Sequence, residues 1–358
     1  FGSSVGEAPP AAMEDYRPLP PNRRDIPLSG MEAAAPVGVP RMLHQVWPGK
    51  NRFWCGGRCL TGGTSTLPAP CIGGENICAW CFIILPCSLY FGVVAPSMHS
   101  EVANAFFWIV VFLFTTTVVS LFLTCCSDPG VLPRRSVILQ TGTAEELSEA
   151  LGYDVLGGGP DAPPGERVPA ALAAVGYKWC DTCQIVRPKR ASHCRDCDCC
   201  ILRFDHHCPF VNNCVGQRNY RYFVMFTTSV CLLAMFVIPT LTAAAPPEPV
   251  PGGADAPEEV PQKGWSTVAI VGAVAAVAAM GVGLLCVYHV FLMVTGRTTK
   301  EHWSSVRHGR LRLPRVENAD SEPSLFANPG PPLFDPRQVV FVDRDTNELL
   351  PTRGEGQV

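Results

Sequence analysis

Asp205, His206, His207 and Cys208 stand side by side in the chain, and the order of types matters more than the string. A thiol is a weak nucleophile until it loses its proton, and an imidazole whose other nitrogen bonds a carboxylate can take that proton. In this order Asp205 would orient His206, His206 would deprotonate Cys208, and the thiolate would attack an activated carbonyl. His207 has no task in that scheme. Adjacent side chains point in different directions, so His207 faces elsewhere, and a metal is its natural partner.

The surrounding spacing supplies that metal. Cys180 and Cys183 form one two-residue-spaced pair and Cys194 and Cys197 a second, with His193 before the second pair and Cys200 and Cys214 flanking the tetrad. With Cys208 set aside, six cysteines and two histidines fill two closed tetrahedral sites of three thiolates and one imidazole. That is the coordination of structural zinc, with no position open for a metal-bound water. Metal shapes this block and organic side chains do the chemistry. A disulfide framework is the competing reading of so many cysteines; the paired spacings, the interleaved histidines and a cytosolic location count against it. Cys199 fits neither site and reads as a spare thiol.

Something must hold this block at a lipid boundary, because the chain is 47% hydrophobic and only 16% charged over 358 residues. Residues 76–100, 102–127, 222–247 and 264–296 contain no Asp, Glu, Lys or Arg, and each holds a core of roughly twenty residues fit to cross hydrocarbon. The first, from about Ile77 to Ala95, carries Pro86; the others run from Ala105 to Cys125, from Tyr222 to about Thr240, and from Thr267 to Val294. The loop between the second and third spans carries eleven Lys and Arg, whereas the loop from Ala243 to Gly264 has only Lys263. The positive-inside rule then puts both termini and the cysteine-rich block in the cytosol. The expected fold class is an all-α multi-pass membrane protein, four transmembrane helices with a small zinc-binding cysteine-rich domain between the second and third.

Breakers organise the rest. Residues 1–75 form a cytosolic N-terminal region, of which 1–40, rich in Pro, Ala and Gly, is expected to be disordered. Transmembrane helices 1 and 2 occupy 76–126, a linker 127–175, the cysteine-rich domain 176–221, helices 3 and 4 with a lumenal loop at about 243–264 the segment 222–296, and a cytosolic tail 297–358. Thr143 to Leu151 reads as a short helix entered through a capping box with Glu146, Gly157 to Pro164 as a linker, and Gln338 to Val342 as a short strand. The chain begins at Phe1 without an initiator methionine, so residues are expected to precede it.

A net charge of −3 argues against nucleic acid as a partner. Arg187, Lys189 and Arg190 nevertheless crowd the segment before His193, either as a face meeting anionic lipid headgroups or as a dock for ligand phosphates. A coenzyme A thioester would bring such phosphates together with an activated carbonyl and a lipid chain.

The run Cys180-x2-Cys183-x9-His193-Cys194-x2-Cys197-x2-Cys200-x4-Asp205-His206-His207-Cys208-Pro209, followed by Cys214 and Asn219-x3-Phe223, resembles the DHHC protein S-acyltransferases, or palmitoyltransferases. Asp128-Pro129-Gly130 after the second span and Thr298-Thr299-x-Glu301 after the fourth are further marks of that family, and the block from His44 to Phe53 with Gly56-Gly57-Arg58 is similar to its plant and algal-type members. The resemblance covers roughly residues 41 to 301.

The resemblance implies one zinc site at Cys180, Cys183, His193 and Cys200, and another at Cys194, Cys197, His207 and Cys214. It makes Cys208 the nucleophile, His206 the base and Asp205 its orienting carboxylate, supported by Thr299 from the end of the fourth helix, with Asn219 and Phe223 bracing the third span. It implies a ping-pong enzyme that takes palmitoyl from acyl-coenzyme A and passes it to cytosolic cysteines of membrane-apposed proteins, in endomembrane (ER or Golgi) or plasma membrane, in some relatives with an accessory subunit. Phe210 departs from the pattern, since most members carry tryptophan after the tetrad proline; the ring that faces the acyl-coenzyme A keeps its bulk and loses the indole donor.

Other classes compete. A transporter would carry intramembrane charge, and only His289 is ionisable at neutral pH within the spans, which reads as a packed or hydrogen-bonded histidine. A membrane-anchored zinc interaction module would need the metal and have no use for Asp205 and His206 beside an unligated Cys208; a catalytically inactive member would have its foothold at Phe210. Cys55, Cys59, Cys71, Cys125 and Cys126, near the membrane boundary, read either as small apolar residues or as acylation sites.

Overall fold

The computed structural model describes residues 38–63, 74–97, 101–243, 262–308 and 332–350. The strands β1 (Val39–Met42), β2 (Arg52–Trp54) and β3 (Cys59–Thr61) lead into the helices α1 (Gly74–Leu89) and α2 (Glu101–Cys126). After β4 (Val131–Leu132) come the short helices α3 (Arg135–Thr141), α4 (Ala144–Leu151) and α5 (Ala170–Ala174). The strands β5 (Lys178–Cys180), β6 (Ile185–Arg187), β7 (Ser192–Cys194), β8 (Cys199–Ile201), β9 (His206–Cys208) and β10 (Asn213–Val215) then build the cysteine-rich module. The long helices α6 (Tyr220–Ala243) and α7 (Gln262–Val294), the helix α8 (Thr299–Arg307) and the strand β11 (Val339–Val342) complete the order.

Each uncharged run becomes a helix long and apolar enough to span a membrane, at Asn76–Val94, Asn104–Cys126, Tyr220–Leu241 and Val268–Val294. Hydrocarbon offers the backbone no partner, so a spanning segment must satisfy its own N–H and C=O groups. The same pressure acts on side chains. On α2 the hydroxyls of Thr115, Thr116, Thr117, Ser120 and Thr124 all donate to carbonyls one turn back. α6 packs against both α2 and α7, and Thr117 meets Ser229 across the first of these contacts at 3.0 Å. α1, which contains Pro86 and widens into a π-helical turn at Tyr90–Val94, packs against α7 and against the turn that follows Cys208.

The expectation of an all-α protein is corrected here. The module between α2 and α6 is a set of three-residue strands paired as antiparallel hairpins, β5 with β6, β7 with β8 and β9 with β10, with β4 added beside β8. The reason lies in the ligand spacing: two residues between cysteines leave room for a tight knuckle joining extended arms and none for a helix. In both knuckles the residue after the second cysteine, Gln184 or Asp198, turns left-handed with φ of +53°.

The two ends of the described chain also meet. β1 pairs antiparallel with β11, with Val39 opposite Val342 and Met42 opposite Val339. Val39 and Pro40 are therefore strand, contrary to the boundary expected at residue 40, while residues 1–37 and the expected lumenal loop at 244–261 lie outside the described residues. α4 forms, but without its expected capping box: Gly142 ends α3 in the left-handed conformation and leaves Thr143 at φ −94°, ψ 13°. An N-cap needs an extended residue, and the Thr143 hydroxyl bonds Thr141 instead. A capping box does form at α8, between Thr298 and Glu301.

Candidate active site

Strand geometry sorts the tetrad. Successive side chains on a strand point to opposite faces, so within β9 His206 and Cys208 share one face and His207 takes the other. Its register partner on β10 is Cys214, which places those two donors together. Among the described residues two groups of four ligand atoms gather: Cys180, Cys183, His193 and Cys200, and Cys194, Cys197, His207 and Cys214. Cys208 belongs to neither.

The donors fit zinc. With Zn–S near 2.3 Å and Zn–N near 2.0 Å, a tetrahedron has S···N edges of about 3.5 Å. His193 Nδ1 lies 3.7, 3.5 and 3.9 Å from the sulfurs of Cys180, Cys183 and Cys200. His207 Nδ1 lies 3.8, 3.4 and 3.6 Å from those of Cys194, Cys197 and Cys214. Asp198 stands 3.4 Å behind His193 Nε2, the carboxylate support that a ligating imidazole usually has. The N-terminal hairpin roofs the second group: Lys50 N donates to Cys197 O at 2.9 Å, Gly62 N to Asn212 O at 2.6 Å, and the Cys199 thiol to Asn51 Oδ1 at 3.1 Å. Cys199 is thus a packed thiol with a partner.

On the other face of β9, Asp205 is 2% exposed and fully engaged. Its Oδ2 accepts from His206 Nδ1 at 2.6 Å and from the Thr299 hydroxyl at 2.7 Å, and its Oδ1 from the Thr299 backbone N–H at 2.8 Å. Thr299 is the first residue of α8, so the carboxylate also lies at the positive end of that helix. Burial would raise the Asp205 carboxyl, but the His206 and Thr299 donors outweigh it and hold it below its ordinary value. Burial likewise opposes a charge on His206, yet its bonds to Asp205 and Cys208 lift the imidazole to about 9. Cys208 is 8% exposed; against that burial, the hydrogen bond and charge of His206 and the N–H groups of Val211 and Phe210 draw the thiol below its ordinary value. The arrangement favours a thiolate beside an imidazolium.

Valine at position 299 keeps the backbone donor and the side-chain shape while deleting the hydroxyl. A hydrogen bond to a charged group contributes about 1.5–3 kcal/mol, so Thr299→Val should slow alkylation of Cys208 about tenfold at mildly acidic pH with metal content unchanged. An unaltered alkylation rate would mean that the backbone of α8 alone holds Asp205.

Two buried side chains that sequence reasoning missed fix this face. Asn76, at the head of α1, donates to Phe210 O at 2.6 Å and accepts from Trp80 Nε1 at 3.1 Å. Asn213 Nδ2 faces the carbonyls of Leu60, Thr124, Cys125 and Ser127 at 2.9–3.3 Å, tying the tetrad hairpin to the end of α2. Their signal was a polar amide at the end of an uncharged run or beside a metal ligand. Asn219, which was singled out, accepts from Gly216 N and donates to Cys214 O.

The basic cluster is rearranged. Arg190 forks onto Glu301 at 2.8 and 3.0 Å and onto Gly296 O at 2.9 Å, which commits its guanidinium to the α7–α8 corner. Arg187 instead stands directly opposite Lys178 in the β5–β6 register. Partial burial, then Arg187 and Lys178, hold the Lys300 ammonium below the ordinary lysine value. Lys178 and Lys300 were not legible as members of this group because one sits across a hairpin and the other after the last span.

Phe210 projects 56% exposed beside the sulfur. Between α1, α6 and α7 runs an apolar cleft lined by Phe82, Ile83, Cys87, Val230, Val237 and Ala275 among others. Ile83, Cys87, Val230, Val237, Ala275 and Cys208 all belong to one contiguous buried cluster.

Residues 174–306 match the family model described as DHHC palmitoyltransferase. The chain is 39% identical over 204 residues to palmitoyltransferase ZDHHC9 of Danio rerio, covering 56% of this chain and 50% of that one. It is 30% identical over 340 residues to palmitoyltransferase ZDHHC18-B of Danio rerio, covering 94% and 81%. It is 35% identical over 211 residues to the Arabidopsis thaliana protein named Probable protein S-acyltransferase 2, covering 55% and 47%. The chain thus spans about half the length of two of these relatives and most of the third.

Proposed function

The chain belongs to the DHHC palmitoyltransferase family, and from that premise we propose that it carries a long-chain acyl group, palmitoyl foremost, from acyl-coenzyme A to cysteine thiols of membrane-apposed proteins through an acyl-cysteine at Cys208. One observation carries the reading: a buried sulfur outside both metal groups is bonded to an imidazole that an anchored carboxylate holds.

In the first half-reaction the Cys208 sulfur bonds to the thioester carbonyl carbon, the bond from that carbon to the coenzyme sulfur breaks, and the departing thiolate takes the proton from His206. In the second, a substrate thiol gives its proton to His206 and attacks the acyl-enzyme, and Cys208 leaves as the thiolate it was. Each step exchanges one thioester for another, so positioning decides the rate. Zinc, held by the two groups of four, would supply closure of the module and take no part in bond making.

The cleft between α1, α6 and α7 suits the acyl tail, since each methylene gains about 0.8 kcal/mol on leaving water. Lys178, Arg187 and Lys300, with Lys189 nearby in the chain, suit the coenzyme phosphates. Like charges directly opposite on paired strands destabilise a hairpin, and a polyanion removes that cost; Arg190 drops out because Glu301 holds it. Phe210 would bound the acyl-coenzyme A end beside the sulfur. The excess of Lys and Arg between the second and third spans puts the module on the cytosolic face, where thiols stay reduced. A non-enzymatic zinc module would leave the Asp205–His206–Cys208 line without a purpose.

The test is purified protein in lipid or detergent with labelled acyl-coenzyme A of graded chain length. Label should enter as a hydroxylamine-sensitive thioester and pass to a cysteine peptide. Because Cys208 is drawn down and His206 raised to about 9, the pair titrates as a unit. Loading should fall on the acid side where Cys208 is protonated, and fall on the alkaline side above about 9 where His206 has no proton to give. Absence of label at every chain length, or label that resists hydroxylamine, rejects the reading.

A further inference from the structure

One ionisable side chain of the bundle reaches the face of β9 and has no task in the reaction above. His289, on α7, is 2% exposed, and its Nδ1 lies 3.0 Å from the hydroxyl of Tyr220, on α6. Tyr220 is itself buried, and the bond between them satisfies a polar group on each side chain.

The pair sits against the base. The His289 ring centroid is 6.3 Å from that of His206, and both imidazoles stand edge-on to Phe223, at 5.0 and 5.3 Å. Phe223 lies three residues after Tyr220, on the same face of α6. His206 is thus held at one edge by Asp205 and walled by rings from two spans. Bonds to Asp205 and Cys208 hold the ring along one line and leave it free to tilt about that line; the wall removes the freedom.

We infer that Tyr220 and His289 are positioning residues, a hydrogen-bonded pair that joins α6 to α7 and fixes the plane of the His206 imidazole toward Cys208. Neither touches the reacting atoms. The inference rests on the reading of Cys208 and His206 as nucleophile and base. The phenol hydroxyl holds the His289 ring, the His289 ring and Phe223 hold His206, and the rate of acyl loading follows. A misplacement of about an ångström can cost about a hundredfold in rate.

Tyr220→Phe removes one oxygen and keeps the packing. It should slow acyl loading at saturating acyl-coenzyme A about tenfold, leave KM for the acyl-coenzyme A unchanged, and leave zinc content and melting temperature as in the parent. Alkylation of Cys208 by iodoacetamide, which needs no acyl donor, should slow in parallel. His289→Ala should slow loading about a hundredfold. Loading by Tyr220→Phe at the parent rate overturns the inference, as does a slowing that follows a lowered melting temperature and vanishes when the assay is cooled. A parent protein that takes no label sinks the underlying reading, and the inference with it.

Discussion

Serine in place of Cys208 leaves a folded protein with both metal groups filled and no capacity to take up an acyl label, a loss of about 10³-fold or more. A serine hydroxyl holds its proton far more tightly than a thiol and does not ionise beside His206, so the ion pair that defines the site never forms. The structural cost is small, because the sulfur belongs to neither metal group and serine is the smaller side chain. Acyl loading, zinc stoichiometry and melting temperature measured on one preparation separate the two effects. Undiminished loading in Cys208→Ser would move the nucleophile elsewhere in the chain.

Removal of zinc should be the more destructive change. Each structural zinc contributes about 10–16 kcal/mol of apparent binding free energy to a small module, as much as or more than the whole stability of a typical domain, about 5–15 kcal/mol. The module's core is built around its ligands, with Cys197, Cys200 and Cys214 fully buried. Prolonged chelation should open residues 176–221 to protease and abolish acyl loading, while the helical signal of the spans persists. Cys214→Ala should reduce zinc from two ions per chain toward one. A chelated protein, free of zinc by metal analysis, whose module still resists protease would disprove this account of what holds it together.

The four spans were legible because hydrocarbon tolerates so few solutions: an uncharged run of twenty or more residues leaves the backbone only the helix. The metal donors were legible by type and number, but not by grouping. Cys194 and Cys197 lie between His193 and Cys200 in the chain, so the two sets interleave, and only the family resemblance divided them as they are found. The strands escaped notice because three residues are too few for a period of two to declare itself. The partner of Arg190 escaped notice for another reason. Glu301 lies 111 residues away, and nothing in a local charge cluster says that a distant carboxylate will claim one member. The strand near residue 340 was anticipated, whereas its pairing with β1 was not, since neither segment carries a sign of the other.

That pairing bears on how the protein is made. β1 leaves the ribosome among the first described residues and β11 among the last, so the latch between them stays open until β11 has been made. The block that follows β1 lies over the Cys194, Cys197, His207 and Cys214 group through Lys50, Asn51 and Gly62. Metal therefore has the interval between the making of its last ligand, Cys214, and that of β11 in which to enter before the lid is fastened, and a nascent chain cut short of β11 would leave that lid unlatched.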